Sequence, residues 1–532
     1  MSTPLDNDDL KLEAIRMQND GATFTAIGLA IGVHRKTVTQ FLNRVTHTDW
    51  WARYEKPIAS GKLHDHHHKM INLEGKKFLI TSAQNNTFVH AKFLKSLELY
   101  AKMIDAQIIV GTFSYNKNGF QGLEKGDGEW FDTKIEQYII DEPVRLAKDL
   151  IWCGELNILP TVANPLSGFH GYSKSGSSII PHAKMQLESL PRHANAKPRF
   201  AYTTGAVTQR NYIQKSSGQK ASFHHIFGAL IVEIDDSGDW FVRQLSADAN
   251  TGCFYDLDNH VTPEYVNVTS EVEAINWGDI HAEKLDCQVA MASFVSSDSI
   301  LDTLKPKYQF ANDILDFESR NHHSINDPYF RYNAFVSGKD SVVKNIKSVV
   351  NVLELMNRDY CLTVIVESNH DLALQRWLKT ADYKTDPANA VFFLECQLAT
   401  YKAIQCGKSE FSIFNWALNR VGMSHELHVK CLRTDESFMI CGDEGIECGM
   451  HGHLGINGSR GGAAGFARLG SRTNVGHSHS AKIVDGVYYA GVTGMLKMGY
   501  NKGITTWSNS HIVTHVDGSR QIITIINGKW RA

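Results

Sequence analysis

Aspartate, histidine and asparagine recur at short, regular intervals in the second half of the chain. The first piece is Trp277-Gly-Asp279-Ile-His281, which follows a strand-like run at 271–276. Residues two apart on a strand face the same side, so Asp279 and His281 are expected to converge on one ion. The second piece is Asn312-Asp313-Ile-Leu-Asp316, and the third is Glu367-Ser-Asn369-His370-Asp371. Met450-His451-Gly-His453 and Gly476-His477-Ser-His479 complete the series. Mixed carboxylate, imidazole and amide ligands suit Mn²⁺, Fe or Zn²⁺ more than Ca²⁺ or Mg²⁺. One shared carboxylate with nitrogen and oxygen ligands on each side suits a pair of ions, the arrangement of a two-metal hydrolase. Each piece alone reads as a capped turn or a satisfied polar pair. Their order along the chain makes them a candidate site.

The elements that must position these pieces read as α/β. Residues 363–366 form an apolar run fit for a buried parallel strand. A helix is predicted before it at 341–356, with Val342, Val343, Ile346, Val349, Val350 and Leu353 on its apolar stripe. Helix resumes over 372–379. Asn369 and His370 therefore fall at a strand's C-terminal end, where open α/β sheets bind ligands. Upstream, a strand at 78–83, an amphipathic helix at 91–106 and a strand at 107–113 predict a βαβ unit. Runs at 226–235 and 240–245 flank Asp236-Ser-Gly-Asp239 as a hairpin. This divides the chain into a helix-turn-helix domain at 1–60, a polar linker, an α/β domain of unknown role at 75–268 and a catalytic domain at 270–532.

The first domain rests on a short helix marked by Ala26, Ile27 and Ala30, a turn at Gly32-Val33, and a second helix with Val38, Phe41 and Leu42 inward. Arg35, Lys36, Thr39 and Gln40 would face outward, where a major groove can be read and phosphates contacted. An ordinary helical hairpin is the plain alternative.

In order and spacing, the five pieces resemble the calcineurin-like metallophosphoesterase family, in its DNA-repair-nuclease-like branch. Its pattern is D-x-H, G-D-x-x-D, G-N-H-D/E, H and G-H-x-H. The likeness covers roughly the C-terminal half. It implies a β-sandwich flanked by helices and two divalent ions, Mn²⁺ before others. It implies that Asp279, His281 and His479 hold the first ion and that Asp313 bridges both. Asn369, His451 and His477 would hold the second, with Asn369 also touching the phosphate. His370 would be the catalytic residue, protonating the leaving group or steadying the phosphoryl oxygens. His453 competes with His451; His451 is the expected ligand and His453 a supporting group or substrate contact. Asn312 and Ser368 stand where the pattern has glycine. Both are expected in tight turns, where Asn tolerates left-handed backbone better than Ser, and neither removes a ligand. On the phrases 78–87, 164–168, 224–235 and 527–530, the whole chain further resembles a group of tailed-phage proteins that join a helix-turn-helix, an α/β domain and this phosphoesterase. That likeness implies an early-expressed nuclease which degrades host DNA in the bacterial cytoplasm, as in T-five-like phages.

Composition bounds these readings. The chain has 532 residues, 42% hydrophobic and 21% charged, which excludes a disordered, collagen-like or coiled-coil protein. A net charge of −3 excludes a uniformly basic nucleic-acid coat, so DNA affinity must be local. Histidine is abundant, at 25 residues. The nine cysteines are dispersed without a Cys-x-x-Cys pair, which fits reduced thiols in the cytosol. No signal peptide or membrane span is read. The expected partners are DNA and further copies of the chain, with no membrane. Gly407-Lys408-Ser409 lacks the upstream glycine of a P-loop. The His64–His68 run reads as solvated linker. His322 and His323 either line the site or cap a loop, and the Gly-rich run 455–465 with Arg460 either approaches a phosphodiester or is a plain loop. His425 and His428 share one face of a possible helix, and His224 and His225 start a strand. The leading function is a metal-dependent DNA nuclease. Its rivals are a DNA-binding regulator with an inactive phosphoesterase half, and a small-molecule phosphatase or phosphodiesterase, which needs no helix-turn-helix.

Overall fold

In the computed structural model the chain falls into two units, Met1–Lys69 and Met70–Ala532. Residues 8–19, 22–45, 70–115, 130–269, 271–321, 324–442 and 445–532 are described. The His64–His68 run, His322 and His323 lie outside them.

The first unit holds α1 (Asp8–Asn19), α2 (Phe24–Ala30) and α3 (Arg35–Val45). Thr23 caps α2, its hydroxyl accepting the Ala26 N–H at 3.3 Å. Gly32, at φ +71°, makes the turn. A Cβ on Gly28 would lie 2.6 Å from the Val33 carbonyl oxygen, so the turn folds this closely onto α2 only at glycine. Ala14, Ile15, Ile27, Ile31, Val33, Val38 and Leu42 form a small core. The residues expected to mark α2 do lie in it; of them Ile27 is buried, and Ala26 and Ala30 are exposed. Arg35, Lys36 and Gln40 are exposed on α3. Thr39 is half-buried, and its hydroxyl donates to the Arg35 carbonyl one turn back at 3.0 Å.

The second unit is a mixed α/β body. Strands β1 (Lys77–Gln84) and β2 (Gln107–Phe113) pair in parallel around the helix α4 (Ala91–Ile104), as the apolar spacing predicts. Strands β3 (Gly228–Ile234) and β4 (Trp240–Ser246) form the expected hairpin, and β3 pairs with β1. A six-stranded sheet carries the ordered Asp/His pieces: β5 (Val272–Asn276), β6 (Tyr308–Asn312), β7 (Leu362–Val366), β8 (Val429–Leu432), β9 (Ser510–His515) and β10 (Arg520–Thr524). Their order is β8-β7-β6-β5-β9-β10, parallel from β8 to β5 and antiparallel beyond. Helix α5 (Val342–Met356) buries Val342, Ile346, Val349, Val350 and Leu353 in the core beneath this sheet. Val343, expected on the same stripe, is exposed.

The boundary expected between 75–268 and 270–532 does not separate two compact units, because the two stretches share sheets and core. An eleven-stranded sheet draws strands from 71–203 and from 439–489. Its seam is the antiparallel pairing of Ile483 with Leu187 and Lys482 with Glu188. Phe78, Trp152, Leu230 and Val242 pack in one cluster with Ile483, Tyr488, Ile512 and Ile522. A buried ionic network crosses the same junction. Arg243 bonds Asp256 through Nε and Nη2, both at 2.8 Å, and Glu233 at 2.6 Å. Tyr100 donates to Asp256 Oδ2 at 2.7 Å and Gln521 Nε2 to Asp256 Oδ1 at 3.0 Å.

Candidate metal centre

The Asp/His pieces converge beyond the C-terminal ends of β5, β6 and β7. Strand β5 stops at Asn276, so Asp279 and His281 leave the sheet before they act. Strand alternation therefore does not aim them. Asp279 sits in a bridge with Val492, its N–H donating to the Gly491 carbonyl at 3.1 Å, and His281 turns left-handed at φ +48°. Asp313 (+41°), His477 (+67°) and His479 (+55°) are left-handed as well. Non-glycine residues are held there only where the surroundings over-determine the backbone, and such positions cluster at functional sites. The turn reading of Asn312 shifts by one residue: Asn312 ends β6 and Asp313 takes the left-handed position. Ser368 is not left-handed; its hydroxyl donates to Asp371 Oδ2 at 2.8 Å and so caps the turn that carries Asn369 and His370.

Two sets of ligand-type atoms form, each within 4.8 Å of one another, and they share a member. Asp279, His281, Asp313 and His479 make one; Asp313, His451 and His477 make the other. A neighbouring set joins His281, Asp316 and His370. Asp313 Oδ2 lies 3.3 Å from His451 Nε2 and 4.0 Å from His281 Nε2. Asp279 Oδ2 lies 3.0 Å from His479 Nε2. Gly476 permits this packing, since a Cβ there would collide with Asp279 Oδ1. Asp279, His281, Asp313 and His451 are buried, His479 nearly so, and His477 half-buried. His453 is half-buried with its ring 5.4 Å from that of His451 and joins neither set.

Buried polar groups in folded proteins find hydrogen-bond partners. Here Asp313 Oδ1, Asn369 Oδ1, His477 Nδ1 and His479 Nδ1 make none, and Asp279 Oδ2 and His451 Nε2 have only ion-pair contacts, with His479 and Asp313. Buried acceptors and imidazole nitrogens crowded together without hydrogen bonds fit a cation as their missing partner. The electrostatics agree. Burial raises the carboxyls of Asp279 and Asp313, but the facing imidazoles outweigh it and hold both below the ordinary range. Burial lowers His451, but Asp313 and Asp279 outweigh it and push the imidazole up to about 9. Burial lowers His281, His477 and His453, the last to about 4.

His370 stands beside the sets. Its Nδ1 is 3.1 Å from the Asp316 carbonyl, which leaves Nε2 as the nitrogen for a ligand. Burial lowers it, but Asp313 and Asp316 win and hold it above the ordinary value. Sequence reasoning assigned Asp316 no role. Its Oδ1 is 3.1 Å from His281 Nδ1 and its Oδ2 3.0 Å from Lys284 Nζ, so it steadies the ring that faces Asp313 and His479. A cavity of about 210 Å³ opens on the cluster, lined by Asp313, Asn369, His370, His477, Tyr500 and Trp507 among others. No motif signalled the two aromatics. Arg460 is exposed, bridged to Leu454, and absent from the cavity lining, and His425 and His428 sit in an exposed non-helical segment. His224 ends a helix; His225 is buried, 2.7 Å from the Tyr212 hydroxyl.

Fold and site thus define an α/β protein with a buried acid–imidazole cluster that could hold metal. Over 490 residues the chain is 45% identical to Protein A1 of Escherichia phage T5, spanning 90% of this chain and 87% of that protein. The chain belongs to the family of that phage protein. No family model and no solved structure matches it. No described helix is long and apolar enough to cross a membrane.

Proposed function

We propose that the protein is a metal-dependent DNA nuclease of the metallophosphoesterase type, phage-encoded, which hydrolyses host DNA in the bacterial cytoplasm. The observation that carries this reading is the pair of ligand sets sharing one carboxylate, Asp313. The motif order and the helix-turn-helix unit support it. Asp279, His281, Asp313 and His479 would hold one ion, and Asp313, Asn369, His451 and His477 the other, with Mn²⁺ expected. When bound, such ions activate a water and clamp the scissile phosphate. His370 is anchored through Nδ1 on the Asp316 carbonyl, and Asp313 and Asp316 hold its imidazole above the ordinary value. Its Nε2 would give a proton to the leaving oxygen. Asn369 Oδ1, buried without a partner, is an orienting contact at the cavity wall. Arg35, Lys36 and Gln40 would hold the protein on duplex DNA through phosphates and groove edges.

The test is cleavage of linear and closed-circular DNA with Mn²⁺, Mg²⁺ or chelator. Degradation with Mn²⁺ that chelator abolishes is expected. Intact DNA in every condition overturns the reading, and turnover of a nitrophenyl phosphate ester without DNA cleavage selects a small-molecule phosphatase, which the modest cavity would also suit.

A further inference from the structure

Tyr500 and Trp507 share the cavity with the metal cluster, yet neither has an ordinary packing role. Tyr500 is 48% exposed. It is nonetheless held in place. Its hydroxyl donates to Met498 Sδ at 3.0 Å, and Lys284 Nζ sits 5.1 Å from its ring centroid. Lys284 is itself tied to Asp316 at 3.0 Å and to the Met498 carbonyl at 3.3 Å. A cation thus stands over the ring, which also lines the cavity. Trp507 stands 5.9 Å from Tyr500 at 65°, so the two rings make a corner and neither hides the other. Trp507 also meets His479, ring centroids 4.1 Å apart, and its carbonyl accepts from Arg192 Nη2 at 2.8 Å. The corner is therefore fixed relative to the ligand sets.

We propose that Tyr500 and Trp507 form a nucleobase-stacking subsite, so that the metal centre takes an unpaired nucleotide of a DNA strand rather than intact duplex. This rests on the nuclease reading. Aromatic side chains stack on any base, because every base has a π-face. Inside a duplex both faces of a base are covered by its neighbours, so only a frayed end, a single strand or an extruded nucleotide can offer one. A cavity of about 210 Å³ has room for one such group and none for a base pair. Asp313, Asn369 and His477 line the same cavity as the two rings, so a nucleotide whose base stacks there would bring its phosphate toward the ligand sets.

The experiment is calorimetric titration of the full chain, with Mn²⁺ present, against thymidine 5′-monophosphate and against 2-deoxyribose 5-phosphate, which lacks the base. The wild type is expected to bind the nucleotide about tenfold tighter, the scale of one base–aromatic stack. Tyr500→Phe keeps this gap and Tyr500→Ala closes it. Equal affinity for the two probes, no binding of either, or a gap that survives Tyr500→Ala overturns the subsite. A clear base preference in a protein that leaves DNA whole keeps the subsite and removes the nuclease reading; DNA cleavage without a base preference does the opposite.

Discussion

Two clusters of charge are buried in the same body, and they differ in one respect. Around Arg243 every charged atom is answered: Asp256 accepts from Arg243, Tyr100 and Gln521, and Glu233 takes the remaining guanidinium edge. Around Asp313, carboxylates and imidazoles contact one another as ion pairs, yet several buried oxygen and nitrogen atoms lack a hydrogen bond. Burying charge is costly unless it is paired. The first cluster settles that cost within the chain and ties residues near 100, 243 and 521 together. The second pairs acid with imidazole but leaves buried ligand-type atoms over, which a cation could satisfy. Buried charge by itself therefore marks nothing; buried metal-type ligand atoms left over after pairing mark a candidate site.

The sharpest way to break the contrast is Asp313→Asn. It should leave the far-ultraviolet circular dichroism unchanged and lower DNA cleavage by about 10³-fold or more, the several kcal/mol that paired ions supply. Cleavage at the wild-type rate would mean that Asp313 is not shared by two ions. At the other cluster, Asp256→Ala strands the Arg243 guanidinium. Urea unfolding should report a loss of about 3–5 kcal/mol, and added Mn²⁺ should not restore what Asp256 contributed. A loss below about 1 kcal/mol would mean water reaches Arg243.

Proton and metal also compete at the open cluster and not at the closed one. In the metal-free protein His451 is pushed up to about 9 from 6.5. A raised value stabilises the folded state fully below pH 6.5, and that contribution fades as pH climbs through 9. Binding metal must expel this proton. Mn²⁺ affinity, followed by calorimetry, should therefore rise about tenfold per pH unit up to near pH 9 and level off above it. A flat profile over that window would remove His451 from the ligand set. The smallest effect is expected at its neighbour: His453→Ala should reduce cleavage roughly tenfold or less, as for groups that support ligands. If it matches the loss in His451→Ala, the two histidines have exchanged roles.

Much of this was legible in the sequence where the signal was local. Apolar periodicity located β1, α4, β2, the β3–β4 hairpin and α5 within a residue or two, because side-chain spacing follows the backbone period. The ligand types stood out because few chemistries need Asp-x-His and Gly-His-x-His in series. What was not legible came from distant pairing. Nothing local says that Leu187–Leu190 lies against Lys482–Val484, or that Gln521 completes the Arg243 network, so one body was expected to be two. Strand alternation failed at Asp279 because the strand ends at Asn276 and a bridge to Val492 takes over. Tyr500 and Trp507 belong to no motif; only the fold brings them to the cluster.

The left-handed backbone of His281, Asp313, His477 and His479 bears on whether this centre can be transplanted. Each such residue opposes the local preference of an L-amino acid by roughly 1–2 kcal/mol. Four together rival the 5–15 kcal/mol that keeps a whole domain folded. Copying the seven proposed ligand side chains onto another α/β sheet would reproduce the inventory and not the posture. A trimmed version that begins near residue 270 would shed the strands that brace the seam at Lys482–Val484, and its ligands would be free to relax apart. On the nuclease reading, the smallest unit expected to carry the chemistry is therefore the body from residue 70 onward, to be trimmed at its exposed loops rather than cut near residue 270.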